Sequence, residues 1–345
     1  MTSDVVRLSH GAGGRETTTL LEKLVISRLP SEMKTALGGV GTDELDDGAT
    51  IVAGGQHVVI SIDSYTVNPP FFPGGDIGKL AACGSINDVL MMGGRPVAML
   101  DAIVAEEGLP VSDLDRIVQS FLSVLREEGV SLIGGDLKVM PRGQLDGVLI
   151  TTACVGVAER PIVDSRVRPG DVVIVTGTVG EHGAAIMAAQ KGIGVEAEGL
   201  VSDVQPLTRI MLPLLKEYGE SIRAAQDPTR SGVAGALNEW AQKSGTVIVV
   251  NGPSIPVREE VKAYCEMLGV DPLSLACEGR ALLAVDPSAA DEVLSLLREL
   301  GCEDAAVIGE IRGSERFRGI VLLRTEAGGL RILERPSGVI VPRIC

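Results

Sequence analysis

His57-Val-Val-Ile-Ser-Ile-Asp63, a loop through Asn68, Pro69, Pro70, Phe71 and Phe72, and then Gly74-Gly-Asp-Ile-Gly78 leading into the apolar run Lys79–Met92 form the stretch that decides the fold. The β-branched residues of the first run favour a strand, the glycines a turn, and the last run is long enough for a helix. The strand closes on Asp63, and strand ends and the loops after them are where sites are commonly built. Asp88 lies inside the helix among Ile86, Val89, Leu90 and Met91. A carboxylate there either finds a partner or faces solvent.

Upstream, His10-Gly-Ala-Gly-Gly-Arg15 is a glycine-rich turn ahead of an amphipathic helix over roughly residues 16–28. Glycine clusters let backbone N–H groups approach an anion, but this one matches neither the P-loop nor the dinucleotide fingerprint, and a plain turn explains it as well. Residues 31–48 read as loop, ending in Asp43-Glu-Leu-Asp-Asp47-Gly, with strands over 50–54 and 56–62. Downstream come a strand at 97–105, a helix opened by Ser112-Asp-Leu-Asp115 as a capping-box variant and run to Gly129, and a short strand at 130–133. Gly134-Gly135-Asp136-Leu-Lys138 follows as a turn, then a long strand at 145–157.

Between about 158 and 170 the composition shifts to Arg, Pro and Asp, marking a domain boundary. Beyond it the spacing predicts strands at 171–176, 222–226, 246–250, 281–285, 305–309 and 319–323. Helices are predicted after Gly177–Gly183 and at about 206–218, 230–243, 257–268 and 288–300. The fold class is therefore α+β with two domains and an extended C-terminal tail. Residues 1–42 form a glycine-rich segment and helix, 43–160 and 161–312 the two domains, and 313–345 a C-terminal segment ending in Cys345.

A chain of 345 residues is long for one compact unit. Apolar residues make up 45% and aromatics 2%, so the cores rest on Val, Leu, Ile and Ala. A net charge of −15 argues against a nucleic-acid partner and suits carboxylates that hold a cation. No apolar run reaches the ~18–20 residues of a membrane span, and the start lacks the basic and apolar regions of a signal peptide, so a cytoplasmic protein is expected. None of the six cysteines forms a C-x-x-C pair, and three histidines are few for a transition-metal site. Cys83, Cys154, Cys265, Cys277 and Cys302 sit among apolar or small neighbours as reduced core residues. Cys345 stands apart, at the end of Arg335-Pro-Ser-Gly-Val-Ile-Val-Pro-Arg-Ile-Cys345, whose prolines and glycine oppose a helix. Two readings stand: a frayed end, or an arm of about 35–40 Å that carries a thiol into a site. Arg343 favours the thiolate and a terminal carboxylate opposes it, so the sign of the thiol's pKa shift is open.

Asp47, Asp63, Asp88 and Asp136 recur in a loop, at a strand end, in a helix and after two glycines. Hard cations such as Mg²⁺ take oxygen ligands and arrive with nucleotide phosphates, so convergent carboxylates make a metal–nucleotide site without a P-loop.

The runs Asp46-Asp-Gly-Ala-Thr50, Ile62-Asp-Ser-Tyr65, Phe71-Phe-Pro-Gly-Gly-Asp-Ile-Gly-Lys79, Asn87-Asp-Val89 and Gly135-Asp-Leu-Lys138 resemble the aminoimidazole-ribonucleotide-synthetase-like superfamily, which includes thiamine-monophosphate kinase and selenophosphate synthetase. Pro342-Arg-Ile-Cys345 and the run from His10 to Gly14 narrow the resemblance to the HypE family of hydrogenase maturation proteins. The resemblance implies a homodimer through the N-terminal sheets, with ATP and Mg²⁺ bound at the N-terminal domain near that interface. It places metal or nucleotide contacts on Asp47, Asp63, Asp88 and Asp136, and further nucleotide contacts on Asn68, Lys79, Gly134 and Gly135. The implied activity is ATP-dependent dehydration of a carbamoylated Cys345 (a thiocarbamate) to a thiocyanate, supplying cyanide to the iron of nickel–iron hydrogenase. HypF would donate the carbamoyl group and a HypC–HypD complex would carry the iron. Cys345, Glu278 and Lys138 are the implied catalytic residues, with Glu278 as the base and Lys138 on phosphate or oxygen, or the reverse.

Each has a plainer alternative. Glu278 can be a surface partner of Arg280, Lys138 a loop lysine, Asp47 and Asp136 turn residues, and Lys79 the opening of a helix; Asp227-Pro-Thr-Arg230, which resembles a family motif of unassigned role, can be a helix cap. Two rival functions remain: a small-molecule kinase or ATP-dependent synthetase of the same superfamily, and a non-enzymatic thiol carrier.

Overall fold

The protein is described by a computed structural model covering residues 5–191 and 199–345; residues 1–4 of the N-terminal segment lie outside it. The first helix, α1 (Arg15–Leu24), ends earlier than expected and passes into a short 3-10 turn at Ile26–Arg28.

The first domain contains β1 (Ala49–Ala53), β2 (Gln56–Tyr65), a small ribbon of β3 (Phe71–Phe72) and β4 (Gly75–Asp76), α2 (Ile77–Met91), β5 (Arg95–Glu106), α3 (Val111–Glu128), β6 (Ser131–Met140) and β7 (Val148–Ala158). Its sheet runs β1-β2-β7-β5-β6, antiparallel except for the β5–β6 pair. The carboxylate of Asp76 starts α2 by accepting from the N–H groups of Gly78 (2.8 Å) and Lys79 (3.0 Å). Every residue of α2 except Lys79 is buried, because sheet, α3 and second domain enclose it. Glycines make that enclosure possible: a Cβ on Gly84 would strike the Tyr65 ring, and one on Gly78 the Ile117 carbonyl.

Two local expectations change. Helix α3 begins at Val111 behind Pro110 with no side-chain cap, so Ser112 opens no capping box; Gly129, at φ 66°, ends the helix as expected. Gly134-Gly135-Asp136-Leu-Lys138 is strand rather than turn. It lies inside β6, pairing Leu100 with Gly134, Ala102 with Asp136 and Val104 with Lys138. A Cβ on Gly135 would run into the Asp101 carboxylate, so the glycine allows close strand approach.

The second domain contains β8 (Val172–Val175), α4 (Glu181–Gln190), α5 (Thr208–Tyr218), β9 (Ile222–Gln226), α6 (Gly232–Ser244), β10 (Val247–Asn251), α7 (Glu259–Leu268), β11 (Leu282–Val285), α8 (Ala290–Glu299), β12 (Ala306–Arg312), β13 (Ile320–Arg324) and β14 (Leu330–Ile332). The sheet order is β14-β13-β10-β12-β8-β11-β9, with β10–β13 parallel. Because β13 and β14 belong to this sheet, the packed domain continues past residue 312, and only the residues after Ile332 form the tail.

One apolar core runs from α2 and the first sheet into α4, α5, α7 and α8, and a second surrounds Trp240 on the other side of the seven-stranded sheet. Buried Asn87 joins the domains: its carbonyl oxygen accepts from Leu207 N–H (2.8 Å) and its amide donates to the Gln205 carbonyl (3.1 Å).

Candidate active site

Asp63 sits on β2 opposite Thr152, whose hydroxyl meets Ser85 of α2 at 2.6 Å, so Asp63 faces the helix side of the sheet. Asp88, on α2, accepts from the Ser61 hydroxyl at 2.5 Å. Asp47 comes from the loop before β1, Asp227 from the end of β9, and Glu278 from the segment before β11. Asp88, Asp227 and Glu278 are buried; Asp47 and Asp63 are half-buried.

Burial raises all five carboxylates, and acidic neighbours add to it at Asp47, Asp88, Asp227 and Glu278. Burial lifts Asp88, with Asp63 and Asp227 adding to it. Burial and then Asp63 push Asp227 up to about 7. Glu278 is raised by burial and by Asp227, Asp203 and Asp63, against the pull of Arg230. One oxygen each of Asp227 and Glu278 is buried without a hydrogen-bond partner. Glu278 makes no surface pair with Arg280. Arg280 instead faces Thr178, Glu181 and Asp203, and Asp203 accepts from the N–H groups of Glu278 (3.1 Å) and Gly279 (3.2 Å).

Among the described residues, no three His, Cys, Asp or Glu side chains stand close enough to ligate one ion. The acids therefore make no all-protein cage. They fit a hydrated Mg²⁺, which keeps several waters and takes one or two carboxylates together with substrate phosphates. A cavity of ≈420 Å³, lined by Asp47, Asp227, Arg230, Thr17 and Thr18, adjoins them.

The tail is docked inward. Arg343 N–H groups meet the Thr66 carbonyl (2.7 Å) and Asp146, and its own carbonyl accepts from Asn68 N–H (3.1 Å). The Cys345 carbonyl accepts from both the N–H (2.9 Å) and the hydroxyl (3.0 Å) of Thr66. Gln190 donates to the Pro342 carbonyl at 2.6 Å. The Ile344 carbonyl can only accept, so His182 Nε2 carries the proton and donates to it at 2.8 Å. In the neutral ring Nδ1 then accepts from the Ser202 hydroxyl (2.7 Å), whose oxygen accepts from Val204 N–H (3.1 Å). Burial pushes His182 down to about 4, against the pull of that carbonyl.

Docking leaves the thiol where the acids act on it. Burial pushes Cys345 up to about 12, with Arg230 opposing and Glu278, Asp63 and Asp227 adding. This closes the open sign: burial dominates, and the leading cation is Arg230 rather than Arg343, which is engaged with Asp146.

Asp136 and Lys138 are not brought to this cluster within the chain. Ser64, Thr151, Ala102 and Asp136 align across β2, β7, β5 and β6, on the sheet face opposite Asp63. Three inter-strand spacings separate Ser64 from Asp136, about 14 Å. Both Asp136 and Lys138 are exposed and pair with each other at 2.7 Å, which holds Asp136 below the usual carboxylate range. Gly134 and Gly135 lie beside them. Lys79 turns back to the Gly74 carbonyl at 3.0 Å, and Asn68 holds the tail.

Sequence reasoning gave Asp227-Pro-Thr-Arg230 two readings, a helix cap and a family motif of unassigned role, and placed neither Asp227 nor Arg230 in the site. In fact α6 has no side-chain cap, and its N-cap residue Ser231 stands at φ 72°. It also missed His182 and Gln190, for which no local pattern gives a signal. The glycine turn at Gly13 and Gly14 has a steric role. A Cβ on Gly13 would strike Arg230, and one on Gly14 would lie 2.6 Å from the Pro336 carbonyl of the tail.

Residues 45–158 match the N-terminal domain, and 168–322 the C-terminal domain, of the AIR synthase related proteins. The chain is 40% identical to carbamoyl dehydratase HypE of Rhizobium leguminosarum bv. viciae, over 99% of this chain and 95% of that protein. It superposes on HypE in a HypE–HypF complex with a TM-score of 0.83 at 37% identity, covering 92% of this chain and 99% of that one. A HypE structure in complex with ATP matches with a TM-score of 0.81 at 37% identity, covering 99% and 100% of the two chains.

Proposed function

The chain belongs to the HypE family of the AIR synthase related proteins, and from that membership we propose that it is an ATP-dependent carbamoyl dehydratase acting on its own Cys345. The thiocarbamate on that sulfur becomes a thiocyanate, the source of cyanide for the iron of nickel–iron hydrogenase. The observation that carries this reading is the docked tail, which presents the Cys345 thiol to Arg230, Glu278, Asp63 and Asp227.

An amide oxygen is a poor leaving group, and transfer of the γ-phosphoryl group from ATP turns it into phosphate. Loss of the two N–H protons then expels phosphate and leaves S–C≡N. Glu278 suits the proton-accepting role: its unpaired oxygen and raised pKa make it a stronger base than an exposed carboxylate. One or two of Asp47, Asp63, Asp88 and Asp227 would hold a hydrated Mg²⁺, which would supply charge neutralisation at the phosphoryl group. The domain made of residues 43–160, with its N-terminal segment, forms the nucleotide side of the site, and 161–312 supplies Glu278, Asp227 and Arg230.

Lys138 and Asp136 enter through a second copy. The sheet face they share is apolar and exposed at Ile60 (36%), Ile62 (68%) and Leu100 (40%), residues suited to burial in a homodimer. Ser64, which lines the cavity around Cys345, lies on the same face, so pairing through it brings the partner's Lys138 toward that cavity. HypF would load the carbamoyl group while the tail is undocked, and a HypC–HypD complex would take the cyanide, all in the cytoplasm. No helix among the described residues is long and apolar enough to cross a membrane.

Intact-mass analysis of the carbamoylated protein tests the reading. Loss of one water from the C-terminal peptide only when MgATP is present is expected; an unchanged mass sinks it.

A further inference from the structure

We propose that Arg230 is a catalytic residue of this reaction, its guanidinium reaching the phosphoryl group in passage from nucleotide to thiocarbamate oxygen. The inference rests on the dehydratase reading above. Arg230 is the one residue that lines both the ≈420 Å³ cavity at Asp47 and Asp227 and the separate cavity around Cys345. Any group that moves from a nucleotide in the first to the sulfur-borne carbamoyl in the second passes this side chain.

Its partners point the same way. Lys243, in the first cavity, is paired with Asp46 (2.5 Å) and Asp164 (2.9 Å), and Arg335 with Glu239 (2.5 Å). Arg230 makes no ion pair and no side-chain hydrogen bond among the described residues, and it lies within electrostatic reach of Cys345, Asp63 and Glu278. It is a cation held ready between two cavities without being neutralised by either wall.

The backbone around it is constrained. Ser231 and Gly232 both have positive φ (72° and 57°), and a Cβ on Gly232 would strike the Leu275 carbonyl. A serine in that conformation is strained and persists where the surroundings impose it. The Ser231 hydroxyl is buried without a partner, so it offers no compensation. Gly13 packs against the Arg230 side chain from the other side.

In the step itself, the bond from the γ-phosphorus to the β–γ bridging oxygen breaks and its electron pair leaves with ADP. The bond to the thiocarbamate oxygen forms. Loss of both N–H protons and cleavage of the C–O bond then yield phosphate and S–C≡N. Negative charge spreads over the equatorial phosphoryl oxygens during the first transfer, and a guanidinium placed there stabilises it.

The test uses the full chain, carbamoylated on Cys345, in single-turnover conversion with MgATP read by intact mass, with nucleotide binding measured by calorimetry. Arg230→Ala is expected to convert about 10³-fold more slowly while its Kd for MgATP stays within about threefold, and added guanidinium ion should restore part of the rate. A rate within about threefold of the unsubstituted chain, or a loss matched in Kd and unmoved by guanidinium, overturns the inference. Should the alanine variant fail to bind MgATP, Arg230→Lys decides by the same limits, a rate loss with Kd retained supporting the inference and an unchanged rate overturning it. Failure of the unsubstituted chain to lose water would instead remove the dehydratase reading itself.

Discussion

At the scale of single residues, burial and charge rather than identity set reactivity. A thiol at about 12 is almost wholly protonated at neutral pH. Docked Cys345 should therefore react with iodoacetamide on the order of 10³-fold more slowly than a free cysteine near pH 8, with a rate that rises with pH toward 12. Alkylation at the free-cysteine rate would mean that the tail is not held in this position. Glu278→Gln keeps the shape of the side chain and removes its basicity. MgATP binding should survive with dehydration lowered about 10²–10⁴-fold, and normal conversion would remove Glu278 from the mechanism. Asp63 stands in a recognisable run, and Glu278 was reached only through the family resemblance. Arg230 was not legible, since Asp-Pro-Thr-Arg before a helix reads locally as a cap, and only the fold shows the cap to be absent.

At the scale of elements, the tail and α6 are the informative cases. His182 of α4 is neutral while it holds Ile344, at about 4 against an ordinary value near 6.5. Between those values the unfolded chain binds a proton that the folded chain excludes, so stability falls as pH falls through that window and this group has no effect above it. Urea unfolding should report that loss between about pH 6.5 and 4, and an unchanged pH dependence in His182→Gln would refute the coupling. Lys243 of α6 neutralises Asp46 and Asp164, while Trp240 also donates to Asp164 at 2.8 Å. Lys243→Met leaves two buried carboxylates without a counter-charge, and urea unfolding should report a loss of about 3–5 kcal/mol. A change below 1 kcal/mol, on the order of a surface pair, would show the triad to be solvated. Most helices and strands were readable from periodicity. The exception, β6, was misread at Gly134-Gly135 because glycines that admit a neighbouring strand look like glycines that make a turn.

At the scale of the whole molecule, the question is whether one chain holds a complete site. Ile62→Asp should abolish self-association in sedimentation, because it puts a charge in the middle of the exposed apolar face. If Lys138 acts across that interface, mixing the inactive variants Lys138→Ala and Glu278→Gln should restore dehydration, since one site of each mixed dimer then has both groups. No recovery on mixing, with exchange of subunits demonstrated, would place Lys138 outside the shared site.

By itself the sequence determined the alternation of strands and helices, the acidic character, the family and the thiol at the end of a proline-bearing tail. These follow from local periodicity and from runs of neighbouring residues. The tertiary structure alone decided that the tail lies inward, that Asp227 and Arg230 join Asp63, Asp88 and Glu278, and that Asp136 and Lys138 face the other way. The physical reason is that those relations depend on strand register and on contacts between residues far apart along the chain, up to 279 positions for Thr66 and Cys345. Carboxylate pKa values and the reach of a guanidinium answer to distance in space, which spacing along the chain does not encode.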